Sequence, residues 1–90
     1  MYFSVMPVIS RFFGIIIFMF WRDHAPPHFH AKYGEEEITV EIKSGIVNGS
    51  MSKRALQMVQ EWREQHIDEL LEDWGRAEKR RSLVAIKGLE

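Results

Sequence analysis

The residues best equipped for chemistry lie in one run, Asp23-His24-Ala25-Pro26-Pro27-His28-Phe29-His30, which holds three of the four histidines and two of the three prolines. Imidazole can serve as acid, base or metal ligand near neutral pH, and a carboxylate beside it can orient the ring or share its metal. Pro26-Pro27 removes two consecutive N–H donors, fixes φ and pushes Ala25 out of the helical region. The pair therefore reads as a rigid, extended connector. After it, His28-Phe29-His30-Ala31-Lys32-Tyr33 alternates polar and apolar, the period of a half-buried strand. Such a strand turns Phe29, Ala31 and Tyr33 toward a core, with His28, His30 and Lys32 on the other face, away from the helices. Two residues of rise separate the histidines by roughly 6.5–7 Å. Rings at that spacing can converge on one metal ion or one phosphate-sized ligand, and the stiff connector brings His24 back toward them. The plain alternative is a solvated His-x-His face with Asp23 and His24 capping a turn.

Two chemistries fit the run. In the first, His24, His28 and His30 ligate a divalent metal, with Asp23 or Glu35 completing the shell. In the second, the chain is a metal-independent ribonuclease. There His24, His28 or His30 is general acid and base, and Lys32 or cations at a helix end hold phosphate. The second lacks a basic groove. Neither requires a cofactor; a divalent metal is the one these side chains could take.

Composition narrows the setting. Ninety residues make one small domain, and 46% hydrophobic content with 3 prolines and 6 glycines marks it as globular. A net charge of −1 gives no overall field to recruit nucleic acid or membrane. Zero cysteines exclude disulfides, thiolate zinc sites and a thiol nucleophile, which fits a cytoplasmic protein. A domain this small without staples is expected to lean on a protein partner or a homodimer.

The elements that must position the run follow from periodicity. Phe12 to Trp21 is apolar except for Gly14, yet ten residues fall far short of the ~20 of a membrane-spanning helix. No Ala-x-Ala-like site follows to mark a secretory signal. A long central strand fits instead, with Ile15, Ile17 and Met19 on one face and Ile16, Phe18 and Phe20 on the other. One set is expected against the helices, the other against the chain's tail, a second copy or a partner.

Tyr33-Gly34-Glu35 reads as a turn, and Glu37 to Lys43 as a strand with Ile38, Val40 and Ile42 inward. Ser44-Gly45 fits a two-residue hairpin turn returning through Ile46-Val47, and Asn48-Gly49 ends the sheet. From Ser52 the period becomes helical, with Leu56, Val59, Trp62, Ile67, Leu70, Leu71, Trp74 and Ala77 as the apolar stripe. Ser50 or Ser52 supplies the cap. One unbroken helix from Lys53 to Lys79 would run about 40 Å, too long for so small a sheet, so a break is expected near Gln65-His66. His66 then reads as a half-buried junction residue. Arg76, Lys79, Arg80 and Arg81 complement the helix dipole. They lack interleaved aromatics, so support for a nucleic-acid contact is weak. Leu83, Val84, Ile86 and Leu89 let the tail dock or form an edge strand.

The expected fold is α+β: a three- to four-stranded antiparallel sheet, then a helical hairpin or kinked helix packed on one face. Residues 6–90 form the single domain, after a disordered extension over residues 1–5.

Met6-Pro7-Val8-Ile9-Ser10-Arg11-Phe12-Phe13-Gly14-Ile15, followed by Asp23-His24-Ala25-Pro26-Pro27-His28-Phe29-His30, resembles a bacterial family of short proteins, domain of unknown function 4160. Tyr33-Gly34, Lys53-Arg54-Ala55-Leu56, Glu61-Trp62, His66 and Asp68-Glu69-Leu70-Leu71 extend the likeness. Members are typically encoded beside another short protein, and some such pairs are suspected toxin–antitoxin modules. The resemblance thus implies an interaction component of a two-protein, toxin–antitoxin-like module, and no catalytic residue carries over. Met1 to Val5 precede the family's usual start, which makes Met6 the expected initiator. Phe18 stands where a more polar residue is expected, and Gly88 stands for a proline.

Overall fold

The computed structural model of the chain describes residues 7–90. The extension expected to be disordered, Met1–Val5, lies outside the described residues, as does Met6. Five strands form one antiparallel sheet in chain order: β1 (Val8–Phe12), β2 (Ile15–Phe18), β3 (His28–Tyr33), β4 (Glu36–Glu41) and β5 (Val47–Gly49). Two helices follow, α1 (Lys53–Gln65) and α2 (Ile67–Glu78). The α+β arrangement is as expected, but the strands number five rather than three or four.

The extra strand was hidden by a turn without turn chemistry. The single long strand expected from Phe12 to Trp21 is broken at Phe13-Gly14. Phe12 pairs with Ile15, so these two residues alone reverse the chain. Both have positive φ, 48° and 83°. Such hairpins usually announce themselves with Asn-Gly or Asp-Gly, and a phenylalanine in the first position gives no such signal. β2 also stops at Phe18, four residues after the turn.

The far end of the sheet needs two further corrections. β4 ends at Glu41 rather than Lys43, and the connection to β5 is wider than the two residues Ser44-Gly45. Arg63 compensates, because its guanidinium donates to the carbonyls of Ile42 at 2.8 Å and Lys43 at 3.4 Å. Asn48-Gly49 ends the sheet as expected, as the last two residues of β5, paired with Thr39 and Ile38. Glycine is required there, since a Cβ on Gly49 would sit 2.9 Å from the Glu37 carbonyl at a φ of 101°.

Alternation then sorts the side chains. Ile15, Ile17, Phe29, Ala31, Ile38 and Val40 face the helices and meet Ala55, Val59, Trp62, Leu70 and Trp74 in one core. Burial of each larger member contributes about 1.5–3 kcal/mol. Tyr33 is the exception to its expected placement, exposed at the end of β3. Phe18 sits on the opposite face, yet it is 0% exposed. It is buried within the single chain, so no second copy is needed to cover it. Phe18 pairs across the sheet with His30, and the rings of His30 and Phe20 pack on it at 5.0 and 5.6 Å.

Helix formation follows the stripe, with Ser52 as the cap, its hydroxyl accepting from the Ala55 N–H. The break comes at His66, where the length limit on a single helix led it to be expected. The tail docks without forming a strand. Asp73, fully buried, accepts from the Val84 N–H at 2.8 Å, and the Ile86 N–H donates to Ile9 on β1 at 2.8 Å. Among the described residues, no helix is long and apolar enough to cross a membrane.

Candidate metal centre

The register of four strands builds the site. Phe18, His30, Thr39 and Asn48 form one cross-strand row on the sheet face away from the core, and His28 pairs with Glu41 in the neighbouring position. The β2–β3 connection folds over this row and adds Phe20, Asp23, His24 and Pro26. All of these except Phe18, nine residues, line a concavity of about 260 Å³. Asp23, His24, His28 and His30 therefore share one depression.

Asp23 gathers the rings. Its Oδ2 lies 3.0 Å from His28 Nε2 and 3.4 Å from His30 Nε2, while Oδ1 lies 2.9 Å from His24 Nδ1 and accepts the His24 backbone N–H at 2.8 Å. Each ring has its own support. His28 is buried, and its Nδ1 stands 2.7 Å from the Pro26 carbonyl. A carbonyl can only accept, so Nδ1 carries the proton and donates. Its Nε2 is then free to present a lone pair or a second proton toward Asp23. His28 also touches the Trp74 ring at 5.2 Å, so α2 reaches round to a face expected to lie away from the helices. His30 is clamped between Phe18 and Phe20, with ring centroids 5.0 and 4.7 Å away. Glu37 Oε2 approaches its Nδ1 at 3.5 Å, beyond good hydrogen-bond geometry. Among the described residues, that buried nitrogen has no hydrogen-bond partner.

The three inner atoms suit a metal ion. Asp23 Oδ2 and the ligand nitrogens of His28 and His30 all lie within 4.8 Å of one another. Bonds of ~2.0–2.1 Å in a tetrahedron give ligand–ligand edges of about 3.3–3.4 Å, close to the two carboxylate distances above. His24 is different: its side chain is 84% exposed, and it holds the outer carboxylate oxygen. It steers Asp23 rather than joining the inner set.

Two expected contributors are elsewhere. Lys32 pairs with Ile16 and Glu37 toward the other end of the sheet and does not line the concavity. Glu35 sits in the β3–β4 turn and cannot complete the shell. Glu37, Glu41, Thr39, Asn48 and Phe20 are the contributors that motif reading missed. The signal for them lay in pairing register, which puts Glu41 opposite His28.

Burial pushes the Asp23 carboxyl upward. The His24 N–H, the His30 ring and the His28 ring outweigh that push, so it lies below the ordinary aspartate value of 3.8. A depressed carboxyl contributes stability that is fully present above the unfolded value and lost as pH falls through the folded one. In metal-free protein, Asp23→Asn should therefore cost about 1–3 kcal/mol at pH 7. The gap to wild type should close below about pH 4. Urea melts at both pH values, with chelator present, check this; a gap that persists at low pH would contradict it.

With this geometry in view, comparison with known proteins gives one match. No curated protein and no solved structure matches the chain. The family model described as Domain of unknown function (DUF4160) matches residues 14–75, which takes in the whole Asp23–His30 run, β3 to β5, α1 and most of α2. The chain belongs to the DUF4160 family.

Proposed function

We propose that this chain is a divalent-metal-binding domain, in which Asp23, His28 and His30 hold one first-row transition ion and His24 orients Asp23. The observation that carries the reading is the commitment of His28 Nδ1 to the Pro26 carbonyl, which turns Nε2 onto Asp23 Oδ2 at 3.0 Å. Histidine ligands to metals are commonly held in this way, by a backbone carbonyl on the other nitrogen. The lining supports a cation in preference to a phosphate. It contains the carboxylates of Asp23 and Glu41 and no lysine or arginine. An acid–base ribonuclease would have to seat a phosphodiester against those carboxylates with no cation to hold it. Two histidines and one carboxylate leave coordination positions open, a pattern shared by catalytic zinc and non-haem iron sites.

Calorimetric titration with zinc should show one ion per chain, with affinity rising between about pH 5.5 and 7.5 as protons cease to compete. Asp23→Ala, His28→Ala and His30→Ala should each weaken binding about a hundredfold or more. His24→Ala should cost less, about tenfold, as an outer partner. Equal, weak losses at all four positions would sink the reading.

A second reading, a cytoplasmic interaction component of a two-protein module, is favoured by Phe13. It is 61% exposed although its φ of 48° suits glycine or asparagine better. A Cβ on neighbouring Gly14 would lie 3.4 Å from the exposed Tyr33 ring, so both aromatics occupy one end of the sheet. Phe13→Asn should leave stability unchanged or raise it by up to about 1 kcal/mol. Co-purification with a co-expressed neighbouring short protein should nevertheless be lost. Unchanged co-purification would remove the role of this sheet end.

A further inference from the structure

The cations at the end of α2 look like dipole partners in the sequence, but the fold gives them company. The Arg22 N–H donates to the Ala77 carbonyl at 3.2 Å, and the Arg80 N–H donates to the same oxygen at 3.1 Å. Trp21-Arg22 is thereby tied to Lys79-Arg80-Arg81. We propose that this shoulder binds single-stranded nucleic acid, with phosphates on the cations and one base stacked on the Trp21 ring. The proposal goes beyond the metal reading and does not rest on it.

Trp62 and Trp74 are buried, whereas Trp21 is 46% exposed. Arg76 is engaged by Asp73 at 2.7 Å and by Glu72 at 4.0 Å. Among the described residues, Arg22, Lys79, Arg80 and Arg81 have no carboxylate within ion-pair distance, and all four are exposed. One or two cations suffice to complement a helix C-terminus. Arg22 and Arg80 also hold φ of 55° and 56°, a region that long side chains rarely adopt. Arg80 takes its left-handed φ as the residue that closes α2, with the Arg81 N–H donating to the Arg76 carbonyl at 2.8 Å.

The aromatic missing from the linear motif is thus supplied through space. An exposed indole next in the chain to Arg22, whose backbone is tied to a cationic helix end, offers the elements that single strands use, since every unpaired base has a face to stack on. A membrane surface calls for a broad apolar face, and this shoulder offers one ring among four cations. A duplex keeps its bases stacked and leaves Trp21 without a partner.

The test uses the full chain with chelator present, so that a bound metal contributes nothing. The probe is a fluorescein-labelled oligouridylate of about 12 nucleotides. Anisotropy should show saturable binding at low salt, with a log–log salt slope of about −3 for four phosphates. Tryptophan fluorescence should be quenched on binding. Trp21→Ala should weaken affinity roughly tenfold or more. Arg81→Gln should flatten the slope by about one, and Lys53→Gln, at the distant start of α1, should leave it unchanged. Circular dichroism melts confirm that each variant is folded. Three results would overturn the proposal: no saturable binding at low salt, equal losses for Lys53→Gln and Arg81→Gln, or wild-type affinity in folded Trp21→Ala. Tighter binding to phosphatidylglycerol vesicles than to the oligonucleotide would reassign the shoulder to lipid.

Discussion

The contact between His28 and the Pro26 carbonyl is the constraint on which the candidate site depends. It joins the stiff connector to the first residue of β3, and it decides which ring nitrogen faces inward. With Nδ1 donating outward, His28 Nε2 meets a carboxylate oxygen that can only accept unless it is itself protonated. Something positive must lie between them, a proton or a metal ion. Asp23 spans the same gap to His30 and to His24, so the carboxylate and three rings behave as one electrostatic unit. Removing Asp23 leaves the Nε2 atoms of His28 and His30 without their carboxylate, and that costs more than the lost bonds alone.

The sheet supplies the stiffness. Its inner face is an ordinary apolar core under α1 and α2. Its outer face carries a row of paired residues that would be solvated in most small antiparallel sheets. Here Phe18 and Phe20 hold His30 edge and face, which fixes its ring without using either nitrogen. Trp74 does the same for His28 from α2. Aromatic walls of this kind lower the local dielectric and strengthen each charge interaction inside. The acidic lining of the concavity and the basic shoulder are opposite in sign, as the proposed cation site and the proposed strand-binding surface each require.

Much of this was legible from residue types alone. The alternation from His28 to Tyr33 placed Phe29 and Ala31 in the core and both histidines on the other face. The period change at Ser52 and the helix break at His66 were readable because apolar spacing and helix length both constrain them. What escaped was information that single residues do not carry. Phe13-Gly14 makes a tight turn without a turn residue in its first position, so the hairpin went unread and β1 was not assigned. Glu41 and Asn48 enter the site through strand register, which depends on where each hairpin reverses. Trp21 joins the basic cluster through one carbonyl, Ala77, more than fifty residues away along the chain. Phe18 read as an interface because its covering came from His30, a residue typed as polar.

The protonation of His28 can be read directly by NMR. Long-range ¹H–¹⁵N correlation spectra recorded with and without zinc report which nitrogen of each imidazole holds a proton. With zinc bound, His28 should hold a proton on Nδ1 alone, with Nε2 shifted as a metal-bound nitrogen; without zinc, a proton should lie between Nε2 and Asp23. A His28 ring in the Nε2–H form, donating to Asp23 and unaffected by zinc, would show a structural hydrogen bond where a ligand is proposed.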